Sequence, residues 1–168
     1  TGLVPEIFNS TILEHLKGQA AIGHVLYTTD VGNRENVQPI VVKYKSGQMA
    51  MSYNGSLINT SALRQKLEEK GAIFQTNNDP ELIASLISIY RITSGEIEDA
   101  IVKVMEDIKG AYSFILMTQN KLIAVRDPFG MKPLCLGKLD NSYIVASESS
   151  AIDAVGGTLL RDINPGEI

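Results

Sequence analysis

From residue 80 to about residue 92 the chain carries Leu82, Ile83, Leu86, Ile87, Ile89 and Tyr90. At helical spacing these side chains cover nearly the whole circumference, so such a helix must be buried on most sides. A second helical pattern follows over 96–108, with Ile97, Ile101, Val104, Met105 and Ile108 on one face and Gly110 behind it. The two helices are expected to pair antiparallel. On either side the period changes to that of strands. Residues 38–44 and 48–53 flank the hairpin signal Lys45-Ser46-Gly47, with Gly47-Gln48-Met49-Ala50-Met51 alternating as a half-buried strand does. After the helices come 111–118, 121–127, 133–139 and 142–147, with Gln119-Asn120 and Asp140-Asn141 as tight turns. Strands, two long helices and strands again imply antiparallel sheet layers with helices packed outside, an α+β layered fold.

The remaining stretches fit around this frame. Residues 5–16 read as an amphipathic helix ended by Gly18, 20–27 as a buried strand containing His24, and 28–37 as a polar loop. Asn59 or Thr60 caps a helix over 61–70 that stops at Gly71. Asp79 before Pro80 fits an N-cap followed by proline at the first helical position. A short helix over 150–154 stops at Gly156-Gly157, and 161–166 reads as a turn-rich exit.

Composition excludes several functions. A net charge of −4, with no Lys/Arg cluster, argues against a nucleic-acid surface. The uncharged run at 82–90 is too short to span a bilayer. Cys135, the sole cysteine, allows neither an internal disulfide nor a Cys-rich metal site, and points to a reducing cytoplasm. His15 and His24 have no Cys or acidic neighbours at ligand spacing, so no metal site is expected. With 168 residues, the chain is read as one domain.

The stretch Ser52-Tyr53-Asn54-Gly55-Ser56 admits two readings. As a turn, Asn-Gly would close the strand and open a loop. As a site, the Asn amide and the following Gly N–H donate side by side to one developing oxyanion.

The motifs decide between these. Gly23-His24-Val25-Leu26-Tyr27-Thr28-Thr29, Asn33-Arg34-Glu35-Asn36-Val37-Gln38-Pro39 and Tyr53-Asn54-Gly55-Ser56-Leu57-Ile58-Asn59 resemble class II glutamine amidotransferase domains. So do the blocks Gly71-Ala72-Ile73-Phe74-Gln75-Thr76-Asn77-Asn78-Asp79-Pro80-Glu81 and Arg126-Asp127-Pro128-Phe129-Gly130-Met131-Lys132-Pro133-Leu134, with Ala146-Ser147-Glu148-Ser149 and the closing 161–168. The Asn33 and Asp127 blocks resemble most the amidophosphoribosyltransferase branch. The resemblance implies an N-terminal-nucleophile hydrolase-like four-layer αββα sandwich with antiparallel sheets, lacking its N-terminal part. It implies glutamine hydrolysis by an N-terminal cysteine, through a thioester, with ammonia passed to a phosphoribosyltransferase domain. By the same resemblance Asn54 and Gly55 are the oxyanion-hole pair, Asp79 holds the substrate amino group, and Thr29 lies beside its carboxylate. Arg126 and Asp127 belong to a loop read mainly as structural.

Three departures qualify what the resemblance implies. The nucleophilic cysteine and the segment after it are expected before Thr1, and Cys135, in a predicted strand, is no substitute. The family's arginine after Gly-His-Val, which forks onto the substrate carboxylate, is Leu26 here. The histidine preceding Asn-Gly is Tyr53. Residues 1–168 are therefore expected to be a partial type 2 glutamine amidotransferase domain, without nucleophile segment or phosphoribosyltransferase domain, that does not hydrolyse glutamine as it stands. The alternative is a non-catalytic ligand-binding or interaction domain that keeps the fold. The expected ligand is glutamine or a related small molecule. No cofactor is expected within these residues; the resemblance assigns magnesium to the absent phosphoribosyltransferase domain. A sheet left without its edge strand would favour pairing between copies, which leaves a homo-oligomer open.

Overall fold

The structure, a computed structural model, describes residues 3–26 and 36–168. Its first sheet contains β1 (Ile40–Tyr44), β2 (Gly47–Leu57), β3 (Gly110–Met117) and β4 (Leu122–Arg126), all antiparallel and in that order. Its second sheet has β5 (Cys135–Leu139) at the centre, between β6 (Ser142–Ala146) and β7 (Thr158–Asp162). Two short helices, α1 (Val4–Ile7) and α2 (Ser10–His15), precede β1. Helices α3 (Thr60–Glu68), α4 (Asp79–Tyr90) and α5 (Ile97–Asp107) lie between β2 and β3 in sequence, and α6 (Ser149–Ala154) lies between β6 and β7.

Strand alternation sorts the first sheet into two faces. Met49, Met51, Tyr53 and Leu57 of β2, Tyr112, Phe114 and Leu116 of β3, and Ile123 and Val125 of β4 all point to one side. There they form a single buried core with Leu63 and Leu67 of α3, Leu82, Ile83, Leu86 and Ile87 of α4, and Ile97, Ile101 and Val104 of α5. The expected all-round burial of α4 holds for its first three turns and ends at Ile89, which is exposed. On the second sheet α6 drives Ile152, fully buried, against Gly137 and Gly157; a Cβ at either glycine would fall within 3.0 Å of the Ile152 side chain. Helices, sheet, sheet and helix thus follow one another, and a cavity lies between the two sheets.

Several expectations change. The 5–16 helix is broken at Phe8 and Asn9, because Asn9 caps a new helix by accepting from the Ile12 N–H at 3.0 Å. Residues 20–26 form neither helix nor strand, and Val25 is exposed; Tyr27 lies outside the described residues. Residues 158–162 are a strand, so Arg161 and Asp162 extend the second sheet instead of starting the exit turn. The N-cap of α4 is Asn78, whose side chain accepts from the Glu81 N–H, and Asp79 is the first helical residue. Asn59 precedes α3 but caps it with no side-chain bond. It instead donates to the Asp107 carbonyl and accepts from the Lys109 N–H, tying the end of α5 to the start of β3.

Most consequential, Asn54-Gly55 is no turn. β2 runs on to Leu57, with Asn54 opposite Ser113 and Gly55 opposite Tyr112. Strand β3 approaches so closely that a Cβ on Gly55 would sit 2.3 Å from the Ala111 carbonyl oxygen and 2.9 Å from the Tyr53 hydroxyl. Glycine is required here by crowding and not by turn geometry.

The loop that enters α4 is held by two charged side chains. Buried Arg64 donates to the carbonyls of Thr76 (2.8 Å) and Asn78 (2.6 Å), and its guanidinium stacks over the Phe74 ring. Glu81 accepts from the N–H groups of Gln75 and Thr76 and from the Thr76 hydroxyl. Burial favours its neutral form, but these bonds and the Arg64 charge outweigh it and hold the carboxyl below the usual range.

Two outcomes follow from this packing. Gly55→Ala should cost at least about 1–3 kcal/mol in urea unfolding, since backbone and not a yielding side chain meets the added methyl. Glu81→Gln should destabilise at neutral pH, with the gap to the unsubstituted protein closing in acid. A depressed carboxyl stabilises fully above its unfolded pKa of about 4.3, and that stabilisation is lost as pH falls through the lower folded value. A gap of constant size from neutral pH to about pH 3 would contradict it.

Candidate functional site

The cavity between the sheets has a volume of about 1250 Å³. Ser52, Asn54, Ser113 and Ile115 line it from the face of the first sheet that turns away from the helical core. Val145, Ala146 and the turn into α6 with Glu148 line it from the second sheet, and Gly23–Leu26, Gln38 and Asn77–Pro80 complete it. The polar character of its floor contrasts with the apolar opposite face of the same strands. Ser52 is buried there with its hydroxyl unpaired among the described atoms.

Asp79 organises one wall. Its Oδ2 accepts from the Tyr53 hydroxyl at 3.0 Å and the Leu57 N–H at 2.9 Å, and its Oδ1 accepts from the Thr60 hydroxyl at 2.8 Å. β2, α3 and α4 therefore meet on one carboxylate. Its place in the first turn of α4 also sets the negative charge against the positive end of the helix dipole. Among the described residues these three donors leave one of roughly four acceptor positions open.

Tyr53 is buried, and its ring runs over Gly55 to reach Asp79. Burial first, and then the Asp79 charge and hydrogen bond, push its phenol far above the ordinary range, so it stays a donor. The Tyr53 N–H lies past the end of β1, which starts opposite Met51, and the Gln38 side chain accepts it at 2.6 Å in place of a strand partner. Asn54, next along β2, is exposed to the cavity, and the Gly55 backbone lines it as well.

Of the residues named from sequence, Tyr53, Asn54, Gly55, Asp79 and Leu26 are brought to one cavity. Leu26 stands at its rim, 41% exposed, beside His24, whose pKa is lowered by burial. Thr29 lies outside the described residues. Cys135 is buried in β5, its Sγ donating to the Ala146 carbonyl, and burial and then the Asp162 charge raise its pKa. Arg126 donates to the carbonyls of Lys132, Gly130 and Ile163, while fully buried Asp127 accepts from the N–H groups of Phe129, Met131 and Lys132. Both hold a loop and neither lines the cavity among the described residues.

Sequence reading missed Thr60, taken only as a helix cap, the Leu57 N–H, Gln38 and Glu148. A backbone donor leaves no trace in the sequence. Thr60 and Gln38 lie inside recognisable blocks or cap signals, but what they bond is set by strands and helices meeting in space.

The profile of the glutamine amidotransferase domain matches residues 24–154. An amidophosphoribosyltransferase of Archaeoglobus fulgidus is 45% identical over 167 residues, covering 99% of this chain and 36% of that protein. The amidophosphoribosyltransferase of Bacillus subtilis is 43% identical, over 99% of this chain and 35% of its own length. A solved structure described as the allosteric regulatory enzyme of purine biosynthesis superposes with a TM-score of 0.89 at 42% identity, over 98% of this chain and 35% of that one. The B. subtilis glutamine phosphoribosylpyrophosphate amidotransferase, complexed with ADP and GMP, gives 0.76 at 41% identity, over 84% and 30%. The chain spans about a third of the length of these relatives. No helix of the described residues is long and apolar enough to cross a membrane. By profile, identity and a shared α+β layered fold of the N-terminal-nucleophile type, the chain belongs to the family of glutamine amidotransferase domains.

Proposed function

We propose that these residues are the glutamine-holding part of a glutaminase in an amidophosphoribosyltransferase-like protein. That protein would hydrolyse glutamine and deliver the ammonia to phosphoribosyl pyrophosphate in purine synthesis, on a phosphoribosyltransferase domain of its own. One observation carries the proposal: a carboxylate oriented by three donors and an Asn-Gly pair line the same cavity. The α-ammonium of the ligand pairs with the open position on Asp79. Its side-chain amide oxygen meets the Asn54 amide and the Gly55 N–H, donors suited to an oxyanion as a thiolate attacks the carbonyl. Cys135 does not supply that thiolate, being buried with its pKa raised. These 168 residues by themselves bind glutamine and do not turn it over.

Leu26 favours a second reading, a ligand-binding domain without catalysis. An isobutyl group at the cavity rim has nothing to offer an α-carboxylate. Calorimetry separates the two. Leu26→Arg should tighten L-glutamine by about ten- to a hundredfold, the worth of a charged fork on a carboxylate. It should leave γ-aminobutyramide, which lacks the carboxylate, unchanged. Equal gains for both ligands would contradict the assigned carboxylate position. Tighter binding of γ-aminobutyramide than of glutamine by the unsubstituted chain would establish the second reading.

A further inference from the structure

We propose that Tyr53 is a positioning residue that makes the site selective for a ligand amine by fixing which lone pair of Asp79 remains open. This rests on the reading of the cavity as an amine- and amide-holding site, and goes beyond it in naming how the amine is selected. The phenol and the Leu57 N–H together fill both acceptor positions of Oδ2, while Thr60 fills one on Oδ1. Among the described residues the remaining position is therefore on Oδ1, and an ammonium has one place to bind. The Tyr53 ring reaches Oδ2 only because Gly55 has no side chain: a Cβ there would stand 2.9 Å from the phenol oxygen. The ring is 5% exposed, so water does not compete for the bond. Its high pKa keeps the proton on the phenol throughout the physiological range. Tyr53 touches no part of the ligand in this arrangement and acts through Asp79. The same strand turns the next side chain, Asn54, into the cavity, so amine and amide recognition are coupled through two consecutive residues of β2.

The test uses the 168-residue chain, two variants and two ligands that differ in a single group. L-glutamine carries the α-amine; glutaramate keeps the amide and the carboxylate but lacks it. Tyr53→Phe removes only the hydroxyl and should weaken L-glutamine about five- to tenfold, with glutaramate unchanged. Tyr53→His keeps a donor on a ring too short to reach Oδ2, and should weaken glutamine in the same selective way. It decides the matter if the Phe variant fails to fold. Equal loss for both ligands would mean a general packing role, and no loss for glutamine would mean that Asp79 needs no help; either overturns the proposal. If the unsubstituted chain binds neither ligand, the reading of the cavity fails, and this proposal fails with it.

Discussion

The carboxylate of Asp79 is the point on which the structure turns. It joins a strand, the start of one helix and the start of another through three hydrogen bonds. Without it the Leu57 N–H and the Tyr53 hydroxyl, both on buried residues, would lose their partner, at about 1–3 kcal/mol for each unsatisfied group. Its position depends in turn on Arg64 and Glu81, which set the preceding loop, and on Asn78, which caps the helix. A carboxylate fixed by this many partners is pre-organised, and on the proposed function a ligand would bind it with little ordering cost.

The first sheet divides its labour by alternation. Met49, Met51 and Tyr53 face the helices and supply the core, while Ser52 and Asn54 face the cavity. Period two thus puts the apolar core and the polar cavity floor on opposite sides of one strand. Tyr53 crosses that division, because its hydroxyl extends from the core to the carboxylate at the cavity wall. Crowding by β3 leaves only glycine at position 55, which keeps the path of that phenol clear.

Much of this was legible from the residues. The periods of α4 and α5, the β1–β2 hairpin and the strands β3 to β6 follow from patterns of local sequence, and ordered motifs pointed to the family. What failed depends on distant partners. Asn54-Gly55 has the local chemistry of a turn, but β3 pairs with it from far along the chain and keeps it extended. Residues 20–26 are apolar enough for a strand, yet in the described structure they pair with nothing as a strand. β7 was hidden because Arg161 and Asp162 read as exit-loop residues, whereas β5 offers them an edge. The cap of α4 moved by one residue because Asn78 satisfies the Glu81 N–H and releases Asp79 to bond elsewhere. Motifs named residues that the fold brings to one cavity, while the donors that bond Asp79 left no such trace, since a backbone N–H has no sequence signature.

The most direct measurement is a titration of the isotope-labelled 168-residue chain with L-glutamine, followed by backbone amide chemical shifts. The expected shifts concentrate at Asn54, Gly55, Leu57, Thr60 and Asp79, with α5 unmoved. Shifts centred away from the cavity, or none anywhere at millimolar glutamine, would contradict a glutamine site built on Asp79.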